Sequence, residues 1–316
     1  MSELREITYF SKLDRSMQPA MMRPATGEEP RPLAVCLHTW SYGHDMLYEH
    51  YLKQCEKRNW HFIFPKFRGP NWTPEACGSD LVVSDLECAV EYMKENFAVD
   101  EQRIYLVGGS GGGHASLLMA GRRPDLWTAV SSWCPISDIG AWYTQSHPRY
   151  PDRRCYDDHI VDACGGNPEK DPEAAAQAKH RSPLTWLVNA KNKVILDIGT
   201  GIHDGHTGSV PISHAIKAFN EVALPQDQIS DEDIEYMVQQ EKVPEHLAFQ
   251  GEDPAYGPYK VLLRRTSGMA RLTLFEGGHD ILDGPAFGFL ERQNRGEEPV
   301  WCSGDAYEEK ATELSK

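Results

Sequence analysis

The chain has 316 residues, 40% of them hydrophobic and 25% charged, ordinary proportions for a soluble globular protein with ample length for a large core. Its formal net charge of -15 excludes a nucleic-acid partner or an anionic membrane surface, because no basic stripe is available to neutralise phosphates. No apolar run reaches the length of a membrane span, and the start MSELREITYFSKLD carries neither a basic region followed by an apolar stretch nor a cleavage site. A cytoplasmic protein is therefore expected, or a secreted one if a signal has been trimmed.

Residues 7–11 and 17–22 read as two short strands around a turn, an antiparallel edge. Residues 33–37 form a buried strand ending at His38-Thr39-Trp40, and a helix over 46–58, a strand over 60–64 and a long helix over 80–97 follow. Ile104 to Val107 are then an uninterrupted apolar run, as expected of a strand buried on both faces of a parallel sheet. Beyond the next strand, 128–133, residues 139–187 show no clear sheet element and read as a lid inserted over a site. A strand over 193–198, a helix over 212–222, a second insertion over 225–265 with a short helix at 231–240, a last strand over 271–275 and a final helix over 285–292 complete the pattern. The polar tail after Arg295 reads as partly mobile. Alternating strands and helices predict an α/β fold: one domain over 1–316 with a mostly parallel central sheet, helices on both faces and two insertions.

The strand at 104–107 runs directly into Gly108-Gly109-Ser110-Gly111-Gly112-Gly113 and then into a small-residue helix. A serine at the tip of so tight a turn occupies a sparsely populated backbone conformation, and side chains at Gly108 and Gly112 would strike the neighbouring strand and helix. The turn aims the Gly111 amide and the helix N-terminus at a point where an acyl oxygen becomes negative. A phosphate cradle fits less well, since no ribose-binding acid follows and no Lys-Ser/Thr pair closes the loop. Ser110 is thus a candidate nucleophile.

A serine hydroxyl needs a base, and an imidazole needs a carboxylate on its other nitrogen. Strand ends supply both: Asp204 after the strand at 193–198 and His279, preceded by two glycines, after the strand at 271–275. His203, His206 and His214 follow the wrong strand for the base. Asp197, within a strand, and Asp280, beside the histidine, compete less well for the acid. Eight cysteines lack CxxC spacing. Cys36 and Cys134 read as apolar filler, Cys155 and Cys164 are the one pair that invites a disulfide, and neither a metal nor a cofactor is expected.

With GGSGGG around Ser110, DGHTGSVP around Asp204 and GGHD around His279, the chain resembles an α/β-hydrolase of the prolyl oligopeptidase type over nearly its whole length. The resemblance implies the nucleophile–acid–histidine order Ser110, Asp204, His279. It also implies an oxyanion hole built from the Gly111 amide and an amide of the loop after the strand at 33–37, which relatives write His-Gly-Gly and this chain writes His38-Thr39-Trp40. Trp40 is the expected second donor, with His38 structural. The acid loop is longer than usual between Asp204 and Val210. The chain as written shows no propeller ahead of the catalytic region, and compact relatives of that kind include esterases that remove acyl groups from plant polysaccharides.

Trp40, Trp72, Trp133 and Trp142 fall near the expected catalytic edge, where flat aromatic faces suit sugar rings or a planar acyl group. Arg68 and Arg181 could anchor a carboxylate there or pair with the acidic surface, and Glu75 is a weak candidate to grip a free amino terminus. The expected activity is that of a serine esterase acting on a small-molecule or oligosaccharide ester, with acetyl or feruloyl groups on carbohydrates foremost. A peptidase with the same triad and a catalytically dead binding module are the alternatives.

Overall fold

The computed structural model describes residues 3–146, 154–301 and the backbone of 312–313. Among the described residues nine strands form one sheet in the order β1-β2-β4-β3-β5-β6-β7-β9-β8. Its parallel centre comprises β4 (His61–Pro65), β3 (Arg31–Leu37), β5 (Val99–Gly109), β6 (Ala129–Trp133), β7 (Ile195–Gly201) and β9 (Ala270–Phe275). At one edge lie β1 (Arg5–Phe10) and β2 (Met17–Arg23), paired antiparallel as their turn predicts.

Strand alternation sorts the core. Leu33, Val35, Leu37, Ile104 and Leu106 project to one face, against α2 (Asp80–Asn96), α3 (Gly111–Arg122) and α7 (Ser213–Val222). Ala34, Cys36, Tyr105 and Val107 project to the other, against α1 (Glu49–Arg58) and α9 (Asp283–Leu290). Apolar residues at every position from 33 to 37 of β3 and from 104 to 107 of β5 therefore serve two cores at once, which is why those stretches read as unbroken runs. This is the α/β-hydrolase arrangement, and no helix among the described residues is long and apolar enough to cross a membrane.

The stretch 139–187 contains no strand among its described residues but holds three helices, α4 (Ile139–Ser146), α5 (Tyr156–Cys164) and α6 (Pro172–Arg181). They enclose a core of their own with Trp40, Ile136, Trp142, Ile160, Ala174 and Val210. No disulfide joins Cys155 to Cys164, the one pair that the sequence offered as a candidate. The two flank α5 as its N-cap and last residue, so nine residues of helix hold them about 13 Å apart, beyond the reach of an S–S bond.

The second insertion keeps its helix, α8 (Asp231–Gln240), but ends sooner than expected. Val261–Ser267 is a strand, β8, antiparallel on the outer edge of β9. Its arginines hide the signal: Arg264 projects sideways over the rings of Phe249 and Tyr256 and pairs with Asp253 at 2.7 Å. Nor is β9 the last strand, because β10 (Asp280–Ile281) pairs with β11 (Thr312–Glu313) in a two-stranded ribbon. Trp301 stacks on Phe289 with ring centroids 6.0 Å apart, and the tail between Trp301 and β11, Cys302 included, lies outside the described residues.

Asp197, a competitor for the acid, is committed elsewhere. It faces Arg271 across the β7–β9 ladder with Nε–Oδ1 at 2.8 Å, both side chains buried. Removing one partner strands a buried charge, so Asp197→Ala is expected to cost about 3–5 kcal/mol and lower Tm by more than about 5 °C. An unchanged melting curve would contradict that placement.

Burial holds His38, His50, His114 and His214 each at a pKa of about 4, below the ordinary 6.5. As the pH falls below about 6.5 the unfolded chain takes up protons that the folded chain refuses until about 4. Stability present above that window is lost across it, so the urea midpoint is expected to fall steadily from about pH 6.5 to 4. A flat midpoint over that range would refute this account.

Candidate active site

Ser110 ends β5 and begins α3 with φ 56° and ψ -118°, a backbone region that side chains rarely adopt. Its amide donates to the Trp133 carbonyl at 2.9 Å. The turn closes because its neighbours lack side chains. A Cβ at Gly108 would lie 2.5 Å from the Gly112 carbonyl oxygen, and one at Gly112 would lie 2.7 Å from that of Leu37. The steric reading of these two glycines therefore holds.

A Cβ at Gly111 would lie 2.4 Å from the Trp40 nitrogen, which places the two expected oxyanion donors side by side next to Ser110. Among the described residues neither amide has a hydrogen-bond acceptor in the protein. His38 anchors this loop: its ring nitrogens contact the Thr39 and Lys66 carbonyls at 2.8 and 2.7 Å, and the ring stacks on Phe67 at 3.9 Å. That matches the structural role expected of it.

Asp204 and His279 meet. His279 Nδ1 donates to Asp204 Oδ2 at 2.6 Å, and since the carboxylate can only accept, the proton sits on Nδ1 and leaves Nε2 as the basic nitrogen. The other carboxylate oxygen accepts from the Gly205 and Val210 amides at 2.9 and 3.1 Å, while Thr200 Oγ1 reaches Oδ2 at 3.4 Å. The extra residues between Asp204 and Val210 thus curl back on the carboxylate. Gly208, inside that curl, has no room for a Cβ, which would meet both Asp204 Oδ1 and His279 Cβ. The sequence reading did not single out Gly208, which lies within the quoted motif, or Thr200, which lies in β7 ahead of it. Ser110 Oγ makes no hydrogen bond among the described residues, an arrangement common where such contacts tighten only on substrate binding. Ser110 and His279 are 7% and 6% exposed, enclosed but reachable.

The rejected histidines are engaged elsewhere. His203 lies between Glu241 and Glu276 at 2.7 Å each, His206 reaches the Val238 carbonyl, and His214 is buried against Ser137 and Gln145. Asp280 caps the histidine turn through the Gly278 amide. Arg68 pairs with Asp14 and Asp85, and buried Arg181 donates to the carbonyls of Pro74, Ala76 and Cys77, so neither is left for a substrate carboxylate. Glu75 is exposed beside α2.

Three tryptophan expectations are corrected, those of a substrate-binding ring at Trp133, Trp142 and Trp40. Trp133 is a core residue at 0% exposure, its ring over Gly199 and against Phe275 and its Nε1 on Ser131 Oγ, because the pleat turns it to the face opposite the site. Trp142 is also buried, with Nε1 on the Ser209 carbonyl and its ring edge-on to Trp40 at 4.7 Å. The Trp40 indole is enclosed by the α4–α6 core, donating to His159 Nδ1 of α5 at 3.2 Å. Trp72, partly exposed, packs against the same His159 at 4.8 Å. His159 escaped the sequence reading, since nothing local in α5 signals its partners. As for metals, the donor atoms of Cys134, Asp204 and His279 lie within 4.8 Å of one another, and two of these residues are already joined by their own hydrogen bond.

Residues 78–253 match the sequence profile of the prolyl oligopeptidase family. The chain belongs to the prolyl oligopeptidase family. Its Ser110 turn, Asp204 loop and the start of its second insertion fall within the matched segment, and His279 lies beyond it. Solved structures with the same fold include an acylaminoacyl peptidase from Pyrococcus horikoshii, at 17% identity and a TM-score of 0.53 over 70% of this chain and 35% of that one. A structure from a study of two prolyl endopeptidases gives 16% identity and a TM-score of 0.56 over 76% and 36%. Prolyl oligopeptidase B from Galerina marginata gives 15% and 0.54 over 70% and 31%. This prolyl oligopeptidase family chain spans about a third of the length of those structures. No curated protein matches it in sequence.

Proposed function

We propose that the protein is a serine esterase that removes acyl groups, acetyl or feruloyl, from carbohydrates through a covalent acyl-enzyme. The observation that carries the reading is the His279–Asp204 hydrogen bond at 2.6 Å, on the same sheet edge as a serine held at φ 56°. Ser110 Oγ attacks the ester carbonyl while His279 Nε2 takes its proton, and the Gly111 and Trp40 amides receive the oxyanion. Collapse of the tetrahedral intermediate breaks the bond to the alkoxy group, which leaves as the alcohol with the proton from His279. Water then repeats the sequence on the acyl-serine and releases the acid. Asp204 keeps Nδ1 protonated and stabilises the imidazolium in both halves.

The carbohydrate ester is supported by the partly exposed Trp72, whose ring packs at 4.8 Å on His159, the acceptor of the Trp40 indole N–H. A peptidase is the second reading, favoured by the family and by the names of the structural neighbours.

Turnover on a matched panel separates them: p-nitrophenyl acetate, methyl ferulate, acetylated xylan oligosaccharides, and aminoacyl and prolyl p-nitroanilides. Ester turnover with silent anilides is the expected result. Anilide turnover exceeding ester turnover would overturn the esterase in favour of a peptidase.

A further inference from the structure

Cys134, at the carboxyl end of β6, was expected to be inert filler, yet its surroundings are those of a joint. Its φ of 45° is left-handed, unusual for a residue with a side chain and a strain that persists only where neighbours impose it. Three chain segments impose it here. The Cys134 amide donates to the Gly199 carbonyl of β7 at 2.8 Å, five residues before Asp204. The thiol donates at 3.2 Å to the carbonyl of Asp280, the residue that follows His279. The preceding residue, Trp133, receives the Ser110 amide at 2.9 Å. Two consecutive residues thus touch the backbone of the nucleophile turn, the strand that leads to the acid, and the histidine loop. The sulfur also lies within 4.8 Å of the donor atoms of both Asp204 and His279.

We infer that Cys134 is a positioning residue for the His279–Asp204 couple, its S–H holding the histidine loop down on the acid. The inference rests on the hydrolase reading of Ser110, Asp204 and His279. Burial and the adjacent Asp204 carboxylate push the Cys134 thiol well above its ordinary pKa, so it stays a neutral donor and adds no second negative charge beside the acid. Serine at this position keeps a hydroxyl donor on a shorter bond, whereas alanine keeps only the Cβ. Without the tether the histidine loop is free to move by a fraction of an ångström, the Nδ1–Oδ2 bond lengthens, and the imidazolium loses part of its partner.

The test compares Cys134→Ala, Cys134→Ser and the parent on the best ester of the panel, with proton NMR of the His279 Nδ1–H, which a short bond to a carboxylate shifts far downfield. Cys134→Ala is expected to lower kcat about 10-fold with little change in KM. It should also move the acid limb of the kcat/KM profile to lower pH and shift the Nδ1–H resonance upfield, while Cys134→Ser recovers to within about 3-fold of the parent. The proposal is overturned if Cys134→Ala leaves the resonance unchanged, or if Cys134→Ser is as impaired as Cys134→Ala. The resonance does not require turnover. A parent that hydrolyses nothing, combined with a shift in Cys134→Ala that Cys134→Ser reverses, would refute the hydrolase reading and leave the tether standing.

Discussion

Replacing Ser110 with alanine is expected to lower kcat by about 10⁴-fold or more and to leave Tm within about 2 °C of the parent. The first half follows from chemistry, because with no hydroxyl at the turn the acyl-enzyme cannot form and only the oxyanion donors and substrate binding remain. The second half follows from the backbone. Alanine keeps the Cβ and with it the strain at φ 56°, and Ser110 Oγ has no hydrogen bond to lose among the described residues. Ser110→Gly should be equally inactive but more stable than Ser110→Ala by about 1 kcal/mol, since glycine accepts that conformation without penalty. Turnover and calorimetry on the two variants separate the contributions. A Ser110→Ala protein that retains a tenth of the parent rate would remove Ser110 as the nucleophile.

Asp204→Asn should be nearly as severe, lowering kcat by about 10⁴-fold with the fold intact. One side of the carboxylate already accepts two backbone amides, Gly205 and Val210. An asparagine must place its carbonyl there, since its amino group would face those N–H groups donor to donor. That choice turns the amino group toward His279. Nδ1 must then accept rather than donate, the ring proton moves to Nε2, and the nitrogen that should take the Ser110 proton is blocked. Steady-state kinetics with a melting curve check this, and an Asp204→Asn protein within about 10-fold of the parent would show that the acid lies elsewhere.

The nucleophile turn was legible because its glycine spacing is local, although only the Gly108–Gly112 clash acts within the turn and Gly112 is kept bare by the Leu37 carbonyl of β3. Unbroken apolar runs likewise marked β3 and β5, since a strand with a core on each face has no polar position to interrupt it. The motif order of Ser110, Asp204 and His279 allowed the site to be assembled from loops far apart in the chain. What failed to show depends on distant partners. The arginines of β8 read as surface until Phe249 and Tyr256 supply the rings beneath Arg264. The lid segment reads as irregular because α4, α5 and α6 bury their small apolar faces against one another and Trp40 rather than against the sheet. Trp133 ends a strand at the catalytic edge, but the pleat decides which face its ring takes. Cys134 looks like any buried cysteine until the Gly199 and Asp280 carbonyls close on it.

The central claim is that Ser110 is a nucleophile activated by His279. It is tested most directly by treating the protein with a fluorophosphonate and locating the adduct by peptide mass. Stoichiometric labelling of Ser110, absent from Ser110→Ala and slowed by at least about 100-fold in His279→Ala, is the predicted result. A protein that stays unlabelled, or is labelled at another serine, would contradict it.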